Sequence, residues 1–276
     1  RRARRRQRVA ALHWVDALYQ VYVTALVAVV AVVFLSGFVG DGKVTGASLE
    51  RVRDHGPAVL GLVAAVAVFV GLRSGSRGGP LALEQPDVRH VLLAPVDRGV
   101  ALRGPALRQL RFLVSVGAAV GAASGQLALR RLPGNPAEWL AVGAVFGATV
   151  VALSFGCALT ASGLGLPRWA ATGGGLALVV WAVGDVAGKV PASPTALVGQ
   201  LGVWPLHTEA VGAVGPVLAL LLVGVGLARV AGTSLEAAER RTALVGQLRF
   251  AVTLQDLRTV LVLRRQLAQE RPRSRP

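Results

Sequence analysis

WLAVGAVFGATVVALSFGCALTA, residues Trp139 to Ala161, is a run of 23 residues without a single charge. Crossing the hydrocarbon core of a bilayer as a helix takes roughly 17 to 25 apolar residues. The run lacks the strict alternation that a barrel strand needs, so a membrane-spanning helix is expected. Working outward, four more segments have the same character: Tyr19 to Val39, Phe112 to Leu129, Trp169 to Val186 and Val211 to Ala228. Pro57 to Leu72 is short at 16 residues but also uncharged. The expected fold is therefore all-α and polytopic, with six transmembrane helices between residues 19 and 230.

Composition agrees with this. The chain has 276 residues, 53% hydrophobic and only 16% charged, with a mean hydropathy of +0.57. Soluble domains are about a quarter charged, so an ordinary soluble globule and a disordered chain are both excluded. The net charge of +16 rests on 28 arginines with Lys43 and Lys189. If the N-terminus is inside, residues 1–18, 73–111, 162–168 and 229–276 face the cytoplasm and hold 24 of the 30 basic residues. The positive-inside rule then puts both termini in the cytoplasm of a multi-pass inner or plasma membrane protein. The bilayer, and no nucleic acid, is the expected partner of these charges. The opening RRARRRQR precedes an apolar run without a small-residue cleavage site, which reads as a retained anchor and not as a signal peptide. Methionine is absent throughout, so the chain reads as a stretch of a longer protein.

Motifs for chemistry fail on context. Gly37 to Lys43 has the spacing G-x-x-x-x-G-K, but Val44 stands where a phosphate loop needs Ser or Thr, and an apolar helix precedes it. Ser124 has no intramembrane His or Lys to serve as its base, because His13, His55, His90 and His207 all fall in tails or loops. Cys157 is the sole cysteine, which leaves no disulfide framework and no Cys/His metal set. No catalytic, cofactor-binding or metal residue is expected in this chain. Asp185 is the one carboxylate within a span and is a candidate functional intramembrane acid. It lies about one turn from water, where it could instead snorkel or pair with Lys189, and proton coupling through it remains an alternative.

Small residues point to close packing. Gly117, Gly121 and Gly125 recur every four residues, and Gly143 and Gly147 form a shorter stripe on the next helix. Such stripes let helix backbones approach closely, within one chain or between two. Ser154, Cys157 and Thr160 make a mildly polar face that reads as packing more readily than as a substrate path.

Three stretches outside the spans carry structure of their own. Residues 73–111 are long for a simple connection. Within them Pro86 suits a first helical position, Asp87 complements the helix dipole, and Pro95 stops the helix. Val88, Val91 and Leu92 share one face of this short element, which needs a docking partner to hold its shape. Residues 191–206 contain TALVGQLGVW, too short to cross and too apolar for a solvated loop, which reads as a re-entrant or interfacial helix pair. Residues 1–18, with Leu12, Val15 and Asp16 behind the arginines, read as a basic tail leading into an amphipathic elbow helix. Residues 231–276 read as a cytoplasmic helical tail, with a weak echo of the elbow around Asp256.

PLALEQPDVRHVLLAPVDR, Pro80 to Arg98, is similar to the D-V-x-x-L-L-x-x-P-V loop of actinobacterial ABC exporters, Val91 standing at its first leucine. ERRTALVGQLRFAVTLQDLRTVLVLRRQLA, Glu239 to Ala268, resembles the segment joining the two halves of such proteins. By topology the whole chain resembles the permease subunit of an ABC-2 type exporter, with elbow helix, cytoplasmic coupling helix and re-entrant segment before the last span. The resemblance implies a permease that couples ATP hydrolysis on a separate ABC ATP-binding subunit to export. ATP and magnesium would then sit on that partner, and Asp87, Val88, Val91, Leu92 and Pro95 would dock it. A second permease half, or a second copy, would complete the transporter. The alternatives are a membrane scaffold that does not transport, and a proton-coupled secondary transporter.

Overall fold

The structure is a computed structural model that describes residues 42–81, 98–207 and 210–233. These residues form α-helices and short 3-10 turns, with no strand among them. The helices are α1 (Ala47–Gly75), α2 (Arg98–Arg131), α3 (Pro136–Gly163), α4 (Arg168–Val186), α5 (Ala196–Gly202) and α6 (Val214–Arg229). Among the described residues, five helical segments are long and apolar enough to cross a membrane: α1 to α4, and Ala210–Gly232, which contains α6 with its flanking 3-10 turns. The sequence-predicted first span Tyr19–Val39, the elbow helix, the short helix with Asp87, Val88, Val91, Leu92 and Pro95, and the tail beyond Thr233 lie outside the described residues.

Two boundaries differ from the sequence reading. α1 begins at Ala47 and runs through Pro57, where the apolar run alone suggested a start. α2 begins at Arg98, so residues 98–111, expected in a loop, are helical. The reason is common to both: hydropathy reports only the part of a helix that suits hydrocarbon, and a helix continues past that edge with charged residues. A proline inside a membrane helix is tolerated where neighbouring elements accommodate the freed backbone group. A third difference concerns residues 191–206, which form one helix, α5, and not a pair. Pro205 lacks the N–H that a continued helix needs. A turn closes there instead, with Leu206 N–H donating to the Val203 carbonyl oxygen at 2.8 Å.

The helix ends follow from local chemistry. Before α3, Asn135 Oδ1 accepts the Ala137 N–H at 3.0 Å, Pro136 takes the first helical position and Glu138 lies in the first turn. α4 ends in a Schellman motif at Gly188, whose φ is +66°. Lys189 N–H donates to the Gly184 carbonyl at 3.0 Å, and Gly188 N–H to that of Asp185 at 2.9 Å.

The described residues divide into two compact units. One comprises those within Arg1–Ala65, Arg111–Ala152 and Val180–Leu218. Here α2 and α3 meet backbone to backbone: a Cβ added at Gly117 would lie 2.6 Å from the Gly147 carbonyl oxygen. One added at Gly121 would collide with the Gly143 carbonyl, and one at Gly125 with that of Trp139. α5 packs on α1 in the same manner, Gly199 facing the Pro57 carbonyl and Gly61 facing Ala196. Ala196, Val198, Leu201 and Val203 are buried as a result.

The other unit comprises the described residues within Val66–Leu110, Leu153–Val179 and Ala219–Pro276. In it Gly71 and Gly75 of α1 press on Ser154 and Ala158 of α3, while Gly156 packs on Leu222 and Val223 of α6. Ser154, Cys157 and Thr160 belong to this packing. Cys157 is buried, and Thr160 Oγ1 donates to the Gly156 carbonyl at 2.8 Å. Just past α1, partial burial, with the charges of Arg73 and Arg168, pulls the Arg77 guanidinium below its ordinary pKa. It remains a cation, since arginine does not deprotonate in proteins.

Candidate functional site

The first unit contains a groove of about 1010 Å³, at the upper end of the roughly 300–1,000 Å³ usual for small-molecule sites. α1 supplies one wall through Val52, Val59 and Val63; Val116 and Val120 of α2 and Phe146 and Val150 of α3 add to the lining. The glycine seam between α2 and α3 also lines it, through Gly117, Gly121, Gly125, Gly143 and Gly147. Close approach of those two backbones therefore does two jobs. It holds the helices together, and it leaves their surface without side chains that would fill the space. Val59, Val63 and Val120 remain 47%, 48% and 45% exposed, so the groove is open and not a sealed cavity.

One end of the groove is polar. Ser48, Arg51 and His55 of α1 line it there, with Arg131 at the end of α2. The two helix ends are tied together: Val44 N–H donates to the Arg131 carbonyl at 2.8 Å. Arg131 Nε donates to the Gly42 carbonyl at 3.3 Å. Arg51 donates to the Ala47 carbonyl at 3.4 Å and to Ser48 Oγ at 3.3 Å. No aspartate or glutamate is among the described lining residues. Trp139, 3% exposed, also lines the groove, its indole N–H bonded to the Pro133 carbonyl at 3.2 Å. Ser124 also lines the groove, but its hydroxyl donates to the Val120 carbonyl of its own helix at 2.9 Å. An apolar trough with a few polar groups at one end has the shape and chemistry to accommodate a ligand with one charged end. Among the described residues no three of His, Cys, Asp or Glu come together as a metal site would require.

The residues singled out from the sequence have separate fates. The five stripe glycines meet in the seam. Asp185 lies elsewhere in the same unit, where its Oδ2 accepts the Ser193 N–H at 2.7 Å. Trp181 adds a second tie from α4, donating to the Pro191 carbonyl at 3.0 Å. This carboxylate straps the approach to α5 onto the end of α4. We expect Asp185→Asn to be nearly neutral in thermal unfolding, because an amide oxygen accepts the same bond. Asp185→Ala should cost about 1–3 kcal/mol by leaving the buried Ser193 N–H unsatisfied. Proton coupling predicts the same stabilities but loss of transport in Asp185→Asn, so transport by that variant separates the two roles.

Arg51 and Arg131 were not singled out from the sequence, and His55, expected in a loop, lies within α1, although a signal was present. Arg51, His55, Val59 and Val63 recur every four residues, as do Val116, Val120 and Ser124. Residues four apart share a helix face, but which faces oppose each other is not written in either helix alone. No protein-family model, curated protein or solved structure matches this chain.

Proposed function

We propose that this chain is the permease of an ATP-driven exporter of the ABC-2 type, moving an apolar or amphiphilic molecule while a separate subunit binds and hydrolyses ATP. The observation that carries the reading is α5. It lies between the last two candidate spans, within the segment the resemblance makes re-entrant, and it is buried against α1 at Pro57 and Gly61. A solvated connection would have no use for glycines at 199 and 202 pressed on a neighbouring helix. The open apolar groove beside it is a fitting place for a transported molecule.

On this reading Tyr19–Val39 is a sixth span, both termini are cytoplasmic, and α5 is re-entrant from the outside. A cysteine at Ser48, before the α1 span, should then react with an impermeant thiol reagent in intact cells, and one at Ser76 should not. Labelling of Ser76→Cys from outside would overturn the orientation. The reading itself is tested by purifying the tagged chain from native membranes. An ATPase should copurify with it, and its absence would leave the chain without an energy source.

A further inference from the structure

We propose that the groove binds an anionic lipid drawn from the surrounding bilayer, its acyl chain along the Val59, Val63 and Val120 wall and its headgroup between Arg51 and Arg131. The inference deepens the permease reading by naming the class of molecule the site takes.

Three observations carry it. The first is charge. Two guanidiniums line one end of an otherwise apolar groove, and no carboxylate among the described lining residues neutralises them. Their hydrogen bonds go to carbonyl and hydroxyl oxygens within their own neighbourhood, leaving donor capacity for a phosphate. The second is length. Arg51 to Val63 on one helix face spans about 18 Å at 1.5 Å per residue, close to the ~15 Å thickness of one leaflet's hydrocarbon. A lipid lying parallel to the helix would thus reach the cationic end with its headgroup while its chain stays on valine. The third is access. Val59 and Val63 are exposed midway along a candidate span, so a molecule can enter sideways from the bilayer.

The test uses the full chain in detergent, without any ATPase, and native mass spectrometry to count lipids retained after delipidation. Phosphatidylglycerol and phosphatidylcholine with identical acyl chains are the two probes. Wild type should retain one phosphatidylglycerol in clear preference to phosphatidylcholine. Arg51→Gln with Arg131→Gln should lower that preference about tenfold, as removal of charge-assisted contacts implies. Arg51→Lys with Arg131→Lys should keep most of it, which separates lost charge from lost fold. Val63→Trp should fill the trough and exclude both lipids. Equal retention of the two lipids by wild type, an unchanged preference in the double glutamine variant, or full retention in Val63→Trp would each overturn the proposal. So would failure of wild type to hold either lipid, as expected if the chain's own Tyr19–Val39 run fills the groove. Lipid binding without ATPase copurification would remove the ATP-driven reading and leave this one standing.

Discussion

Replacing Gly121 with leucine should lower the thermal unfolding temperature in detergent by about 5–10 °C, or abolish recovery of folded protein, the range implied by overpacking penalties of ~1–3 kcal/mol and above. The reason is geometric. A Cβ at this position runs into the backbone carbonyl of Gly143 and comes within 3.0 Å of Gly147 Cα. Backbone atoms cannot rotate aside as a side chain would. The leucine must push α2 and α3 apart, and the neighbouring contacts at Gly117 and Gly125 go with it. Gly173→Leu in α4 is the matched control, since no heavy atom lies within 4 Å of a Cβ added there. It should unfold at the wild-type temperature. Equal loss in both variants would mean that leucine in any of these helices is harmful and that the α2–α3 seam has no special role.

The glycine seam also marks how far the sequence speaks. Spacing by four put Gly117, Gly121 and Gly125 on one face, and Gly143 with Gly147 on another. It could not say that these faces meet within one chain. Hydropathy placed the end of α4 at Val186, where the helix does stop, and the start of α3 at Trp139, three residues inside its actual start at Pro136. The starts of α1 and α2 were not legible. Glu50, Arg51, Arg53 and Asp54 read as an outer loop because charges leave hydrocarbon, yet the helix carries on through them. That same extension brings Arg51 to the end of the groove. The charge pattern that suggested a loop supplies the cationic end of the groove, and only the pairing of α1 with α2 makes it visible.

The second large effect concerns Leu92. On the proposed permease reading, residues 86–94 would form a short coupling helix with a small apolar face of Val88, Val91 and Leu92. Burying each such side chain in a partner is worth roughly 1.5–3 kcal/mol before the costs of association. Leu92→Asp would then remove one anchor and add a carboxylate that would be desolvated without a partner. Copurification of the ATPase should fall at least about tenfold, since 1.4 kcal/mol is already a factor of ten. Expression, Ser48 labelling and lipid retention should not change, because they depend on the spans and the groove. Retained copurification at the wild-type level would sink the assignment of this helix as the coupling element.

On the proposed reading, ATP hydrolysis on a separate subunit drives a molecule through this chain. The most direct test of that reading is transbilayer movement of a fluorescent anionic lipid in proteoliposomes containing the complex purified from native membranes. Movement should require ATP and magnesium, be lost with Leu92→Asp, and be strongly reduced by Arg51→Gln with Arg131→Gln. Movement at the same rate with and without ATP, unaffected by Leu92→Asp, would contradict the reading.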